Sequence, residues 1–219
     1  MEQKKQKRIK TAKLYRIAIL LIFIALIVIS LQQKYKLESG LLISGNQPDV
    51  EANQTPNNEW AKSIELPGVP NFHKVSDDLY RGAQPNNEGM KQLEKMGIKT
   101  VINLRLAHSD RDEIKDTGLS YHHIRMTTLN PEKDDIVKFL KIVTDSNNTP
   151  IYVHCRYGSD RTGMMCAIYR ITVEGWEKSK AIDEMTKGGF GFHSIWMNLV
   201  DYIQNLDINE IKNAADLSE

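Results

Sequence analysis

The sequence predicts an α/β fold, a three-layer sandwich with a central mixed sheet flanked by helices, plus an N-terminal transmembrane helix. Three observations carry this. From residue 65 onward, short β-branched runs alternate with segments of helical period, the pattern of strands and helices packed in layers. One strand-to-helix junction, His154–Gly163, carries a glycine-containing loop. Residues 17–31, IAILLIFIALIVISL, hold no charge.

The elements follow in order. Residues 1–16 are a basic tail, read as cytoplasmic, and 17–31 a membrane anchor. Extended by Leu14 and Tyr15 past Arg16, the apolar run approaches the roughly 20 residues needed to cross a hydrocarbon core. Seven basic residues precede it and only Lys34 and Lys36 closely follow, so the positive-inside rule places the rest of the chain outside the cytoplasm. A cleaved signal peptide, and hence secretion, is the alternative. Val28-Ile29-Ser30 is a poor cleavage site. Residues 32–64, with Gly40, Gly45, Pro48 and Pro56 and no sustained period, read as a linker.

Within 65–207, Phe72–Val75 and Leu79–Arg81 around Ser76-Asp77-Asp78 predict a hairpin. Asn86/Asn87 cap a helix that places Met90, Leu93 and Met96 on one face and ends at Gly97. Thr100–Leu104 and Tyr121–Met126 read as strands. Asn130-Pro131 signal a helix to about residue 145. Pro150–His154 is a strand, and a helix over about 162–173 is apolar nearly all round. Two more helices fit 176–187 and 194–206, and 208–219 reads as a tail.

The chain has 219 residues, 41% hydrophobic and 26% charged, which excludes bulk disorder. Only two cysteines are present, Cys155 and Cys166, too few for a disulfide scaffold. No metal-ligand spacing appears, and no cofactor or metal is expected. Nine of the 29 basic groups lie in residues 1–36 beside one acid; residues 37–219 therefore carry seven acids in excess of bases. An acidic body argues against nucleic acid as a partner.

The chemistry gathers at His154-Cys155-Arg156-Tyr157-Gly158-Ser159-Asp160-Arg161-Thr162-Gly163. A loop between a strand and a helix N-terminus aims backbone N–H groups at one spot, and the helix dipole adds positive potential. Residues 156–161 (Arg156, Tyr157, Gly158, Ser159, Asp160 and Arg161) are thus expected to cradle a phosphate. Gly158 allows the tight turn, and Arg161 offers a two-pronged donor. In the same field Cys155 is expected as a thiolate, with the Thr162 hydroxyl donating to its sulfur and His154 ordering the loop from behind. Cys166, inside the apolar helix, is expected to be inert core.

This string resembles the loop His-Cys-x5-Arg-Thr-Gly of the cysteine-dependent protein tyrosine phosphatase superfamily. Asp78-Leu79-Tyr80-Arg81-Gly82-Ala83-Gln84-Pro85 and Gly97-Ile98-Lys99-Thr100-Val101-Ile102-Asn103-Leu104-Arg105 resemble motifs of its dual-specificity-type members, in particular the atypical bacterial, plant and fungal branch. The resemblance implies a two-step hydrolysis of phosphate monoesters through a phosphocysteine. The substrate class it implies is phosphoprotein, inositol phosphate or phospholipid. It also implies an aspartate acid on the loop before the third helix. Here that stretch, Tyr121–Asn130, has no carboxylate, and Thr127 or Thr128 takes the expected place. Asp160, inside the loop, is the expected substitute, with Asp134 and Asp135 as alternatives. Asp110 and Asp112 read as a solvated turn, Arg81 and Arg105 as structural ion pairs, and Gly188-Gly189-Phe190-Gly191 as a flexible turn. The competing readings are a phosphate-binding module with little turnover and a rhodanese-type sulfur transferase. The five-residue gap to Arg161, followed by Thr162-Gly163, speaks against the transferase.

Overall fold

The structure, a computed structural model, describes residues 59–217. The anchor expected at 17–31 and most of the linker lie outside the described residues. Among the described residues no helix is long and apolar enough to cross a membrane.

The chain enters at β1 (Lys62–Ser63), β2 (His73–Lys74) and β3 (Leu79–Gly82), joined as antiparallel neighbours. Ser76 closes the predicted hairpin, its Oγ accepting from the amides of Asp78 and Leu79. Helix α1 (Asn87–Lys95) starts at Asn86, whose side chain accepts from the Gly89 amide at 2.8 Å, and gives way at Gly97 with φ +94°. Strand β4 (Thr100–Asn103), the short helix α2 (Arg111–Ile114), β5 (Ser120–His123), α3 (Lys133–Val143), β6 (Ile151–His154) and α4 (Asp160–Thr172) follow. Helix α5 (Lys178–Lys187), a 3-10 turn (Ser194–Trp196), α6 (Met197–Asn205) and α7 (Ile208–Ala214) complete the described chain.

The sheet runs β1-β2-β3-β6-β4-β5, and β3, β6, β4 and β5 are mutually parallel. It is therefore mixed, as expected. Central strands β4 and β6 are buried on both faces, the property of parallel strands covered by helices. Their alternate side chains divide the core. Val101 and Tyr152 join Phe72, Met90, Leu93 and Ile114 under α1 and α2. Ile102, Ile151 and Val153 join Ile136, Phe139, Ile168, Ile203 and Ile211 under the other helices. Period-two alternation thus produces helices on both sides of one sheet. Helix α4, with Met164 through Tyr169 all buried, is the central helix of the second layer.

Four sequence expectations change. Helix α3 begins at Lys133 after Glu132, without a side-chain cap. Residues 127–130 instead form a turn in which Thr127 Oγ1 accepts from the Asn130 amide, while Asn198 donates to the carbonyls of Thr128 and Leu129. Strand β5 ends at His123 because the backbone turns back on itself, Met126 N donating to Ile124 O. The folded part does not stop at 207. Helix α7 buries Ile211, and Ala215 just past its end is buried too, so the stretch read as a tail is partly structural. At the other end the linker's last residues are ordered into the sheet at β1, and the Ala61 amide donates to Glu184 Oε1 at 2.7 Å.

Candidate active site

Strand β6 ends at the sheet centre and hands the chain to α4 through residues 155–159. This is the carboxyl end of the parallel strands, where open α/β sheets bind ligands. Gly158 adopts φ +72°, and a Cβ there would stand 2.4 Å from the Gly82 carbonyl carbon and 2.5 Å from its oxygen. Only glycine lets the loop pass this close to the end of β3. Arg81, fully buried on β3, fixes the approach by donating from Nη2 to Gly158 O at 2.8 Å.

The loop converges on Cys155, which is buried beneath it. Burial pushes this thiol up. The Thr162 hydroxyl and amide, the Arg161 charge and the Tyr157 amide outweigh burial together and hold the thiol below its ordinary value. Cys166 lacks such donors, and burial pushes it up to about 11. Both cysteines are free thiols. The contrast separates a reactive sulfur at the loop's start from an inert one eleven residues later, inside α4.

The Arg161 guanidinium is held from behind, Nη1 donating to Leu104 O at 3.2 Å and Met126 O at 3.4 Å. Its Nε is buried and has no protein partner. A buried donor without an acceptor is costly unless a ligand satisfies it. Ser159 is buried and donates to Phe190 O at 2.8 Å. Arg156 and Tyr157 stand exposed at the rim, the Arg156 charge 5.1 Å from the Tyr157 ring.

Behind the loop, His154 Nε2 lies 2.7 Å from Asp110 Oδ2, and Nδ1 lies 3.2 Å from Cys155 O. Asp110 also accepts from Gln84 and Asn103. The solvated turn expected at 110–112 is therefore half right: Asp112 is exposed, but Asp110 is fully buried. Nor do Arg81 and Arg105 form ion pairs among the described residues. Arg81 stacks 3.8 Å from the Phe190 ring and bonds Gly158, and Arg105 donates to Gln84.

The candidate acids separate. Asp134 is exposed on α3, and burial with the neighbouring Glu132 pushes the Asp135 carboxyl up. No hydrogen bond or ion pair among the described residues joins either to 155–162. Asp160 opens α4, buried, with Oδ1 accepting from the His193 amide at 3.0 Å and both oxygens within 3.1 Å of His193 Nδ1. Among the described residues one group could hold a cation: His108, Asp110 and Glu113 bring ligand atoms within 4.8 Å of one another. Its two carboxylates already pair with His108 at 3.5 and 3.2 Å, and Asp110 is committed to His154 as well.

A depressed thiol under a strand-to-helix loop, beside an unmatched guanidinium N–H, is the arrangement of a cysteine phosphatase, and comparison with known proteins decides the family. A family model described as "DSP-PTPase phosphatase fused to NAD+ Kinase" matches residues 66–198. The chain belongs to this DSP-type phosphatase family. It is a phosphatase of the cysteine-dependent superfamily. The dual specificity protein phosphatase TpbA of Pseudomonas aeruginosa (strain UCBPP-PA14) is 30% identical over 161 residues, 71% of this chain and 70% of its own. The inositol diphosphatase SIW14 of Saccharomyces cerevisiae is 26% identical over 179 residues, 78% of this chain and 62% of its own. The crystal structure of P. aeruginosa TpbA superposes with a TM-score of 0.67 at 27% identity, covering 74% of this chain and 99% of that one.

Sequence reasoning about this DSP-type phosphatase missed Asp110, Asn71 and His193. Asn71 clamps two loops, its Nδ2 donating to Tyr157 O and Phe190 O. His193 lies two residues past the glycine-rich turn, and a titratable side chain near such a turn was the available signal.

Proposed function

We propose that this phosphatase acts on phosphotyrosine or a comparable aryl or alkyl phosphate monoester of protein, using Cys155 as nucleophile and Arg161 as phosphate clamp. The observation that carries this is the pairing of a depressed, buried thiol with a buried guanidinium Nε that no protein group satisfies. The Cys155 thiolate attacks phosphorus, the ester oxygen leaves, and water then cleaves the phosphocysteine. Arg161 and the amides at the N-terminus of α4 meet the charge of the transferring group, a contribution worth about 10²–10³ in rate for a single well-placed donor. Thr162 stabilises the sulfur as a thiolate both before attack and as leaving group. Arg156, Tyr157, Gly158 and Ser159 shape the cradle, and Asp160 lies at its helix end.

The rim favours a singly phosphorylated, ring-bearing substrate. Tyr157 exposes its ring, and Arg156 is the one guanidinium of the loop that stands exposed. The likeness to an inositol diphosphatase supports a second reading, an inositol phosphate. A phospholipid headgroup is the third member of the class. Residues 17–31 would hold the domain at a membrane, outside the cytoplasm, and extraction of the full chain by detergent but not by alkaline carbonate tests that.

The test of substrate is a panel on the full chain: a phosphotyrosine peptide, a phosphoserine peptide, inositol phosphates and phosphoinositide vesicles, each against Cys155→Ser. The expected result is highest kcat/KM on the phosphotyrosine peptide and none in Cys155→Ser. Higher kcat/KM on inositol phosphates would move the assignment to the second reading. Binding without turnover of any substrate would indicate a phosphate-recognition module.

A further inference from the structure

The domain holds an Asp–His pair that no step above uses. We propose that His193, oriented by Asp160, is the proton donor to the leaving oxygen, an imidazole in the role for which a carboxylic acid is expected. The proposal rests on the phosphocysteine reading.

The need is plain in the 127–130 turn. Thr127 Oγ1 is occupied by the Asn130 amide, the Thr128 and Leu129 carbonyls by Asn198, and no residue there carries an acidic proton. Asp160 lies nearer, but its side chain is only 9% accessible and both of its oxygens face His193. The imidazole is the accessible member of the pair, with 51% of its side chain open and its ring centroid 6.0 Å from that of Tyr157 on the cradle rim. An ionised carboxylate only accepts, so Nδ1 carries a hydrogen toward Asp160 and Nε2 is the nitrogen left for exchange.

The segment that carries His193 is strapped to the cradle at several points. Phe190 O accepts from both Ser159 Oγ and Asn71 Nδ2, and Asn71 also holds Tyr157 O. The Phe190 ring stacks on Arg81, the same side chain that bonds Gly158 O, and meets the His73 ring edge-on. Gly189 and Gly191 take φ +82° and +80°, and a Cβ on Gly188 would stand 2.4 Å from the Phe190 ring. The turn that reads as flexible in the sequence is a fixed mount for one imidazole.

The protons balance. In the first step the Cys155 sulfur bonds phosphorus, the P–O ester bond breaks, and the leaving oxygen takes the Nε2 proton of the His193 imidazolium. In the second step water bonds phosphorus, the S–P bond breaks, and Nε2 takes a proton from that water, which restores the imidazolium. Asp160 stays ionised throughout and keeps the ring in place.

The test compares kcat/KM of the full chain on phenyl phosphate, a poor leaving group, and p-nitrophenyl phosphate, a good one. His193→Ala and His193→Gln are measured beside wild type; the second retains a hydrogen-bonding side chain should the first fail to fold. The expected loss is about 10²-fold on phenyl phosphate, only a few-fold on p-nitrophenyl phosphate, with added imidazole restoring part of the phenyl phosphate rate of His193→Ala. Asp160→Asn shows the same leaving-group bias at smaller size. Equal losses on both esters, or none on phenyl phosphate, overturn the proposal while leaving the phosphocysteine reading intact, provided wild type and variants still trap phosphate on Cys155. A wild type that traps none sinks both.

Discussion

The Asp110 carboxylate sits 2.7 Å from His154 Nε2, with both side chains closed to solvent. Through His154 this buried acid reaches the Cys155 carbonyl, so a residue 45 positions upstream sets the start of the phosphate loop. Burial alone pushes the Asp110 carboxyl up. The His154 hydrogen bond and charge, Gln84 and His108 outweigh it and bring it below its ordinary value. A carboxyl depressed in the folded state stabilises above its unfolded pKa of roughly 4 and loses that contribution as pH falls through the folded value. Unfolding by urea is therefore expected to need less denaturant in acid than at neutral pH. Asp110→Asn should cost about 2 kcal/mol at neutral pH and flatten that acid dependence. An unchanged acid slope in the variant would remove Asp110 from the account.

Thiol reactivity tests the sulfur's environment. Iodoacetamide should alkylate Cys155 with a pH midpoint below the free-thiol value of about 8.5, while Cys166, pushed up to about 11 and buried, stays unmodified in the folded chain. Thr162→Val removes the buried hydroxyl that helps to lower this thiol, so its midpoint should move upward. Mass spectrometry of the labelled peptides reads both results.

Gly158→Ala probes the loop's closest approach. The new methyl would overlap the Gly82 carbonyl, and φ +72° is strained for alanine. A cost of about 1–3 kcal/mol and a large fall in kcat/KM are expected, read by thermal melting and p-nitrophenyl phosphate turnover. An active, equally stable variant would show that the loop has room it does not display.

Away from the site, Arg170 and Glu184 form a buried two-bond pair between α4 and α5, at 2.9 and 2.8 Å. Glu174, the Trp176 ring and the Glu59 carbonyl complete the shell around Arg170. Removing Glu184 strips two charged hydrogen bonds from the buried Arg170 and leaves Glu174 as its remaining counter-charge, so Glu184→Ala should cost about 1.5–3 kcal/mol. It should also loosen residues 59–61, since Glu184 accepts from the Ala61 amide. Hydrogen exchange at Ala61 and urea melts measure the two effects.

What the sequence displayed was local. The Asn86 cap, the Ser76 turn, the split of Val101 and Ile102 between faces, and the strand–loop–helix junction at Cys155 each depend on residues a few positions apart. What it concealed depends on distant parts of the chain. The burial of Asp110 follows from the 106–118 segment folding back onto His154, and nothing in Ser109-Asp110-Arg111 distinguishes it from a solvated turn. The Asp160–His193 contact spans 33 positions, and the glycines before His193 have no readable purpose until Phe190 is seen stacked on Arg81. Helix α7 buries Ile211 alone, with Ala215 just past its end, and one buried position reveals no period.

The most direct measurement is rapid acid quench of the full chain mixed with radiolabelled p-nitrophenyl phosphate. The account predicts a burst of acid-stable, protein-bound phosphorus approaching one per chain, mapped to the peptide bearing Cys155 and missing in Cys155→Ser. Steady release of phosphate with no label ever trapped on that peptide, or equal labelling in Cys155→Ser, would contradict it.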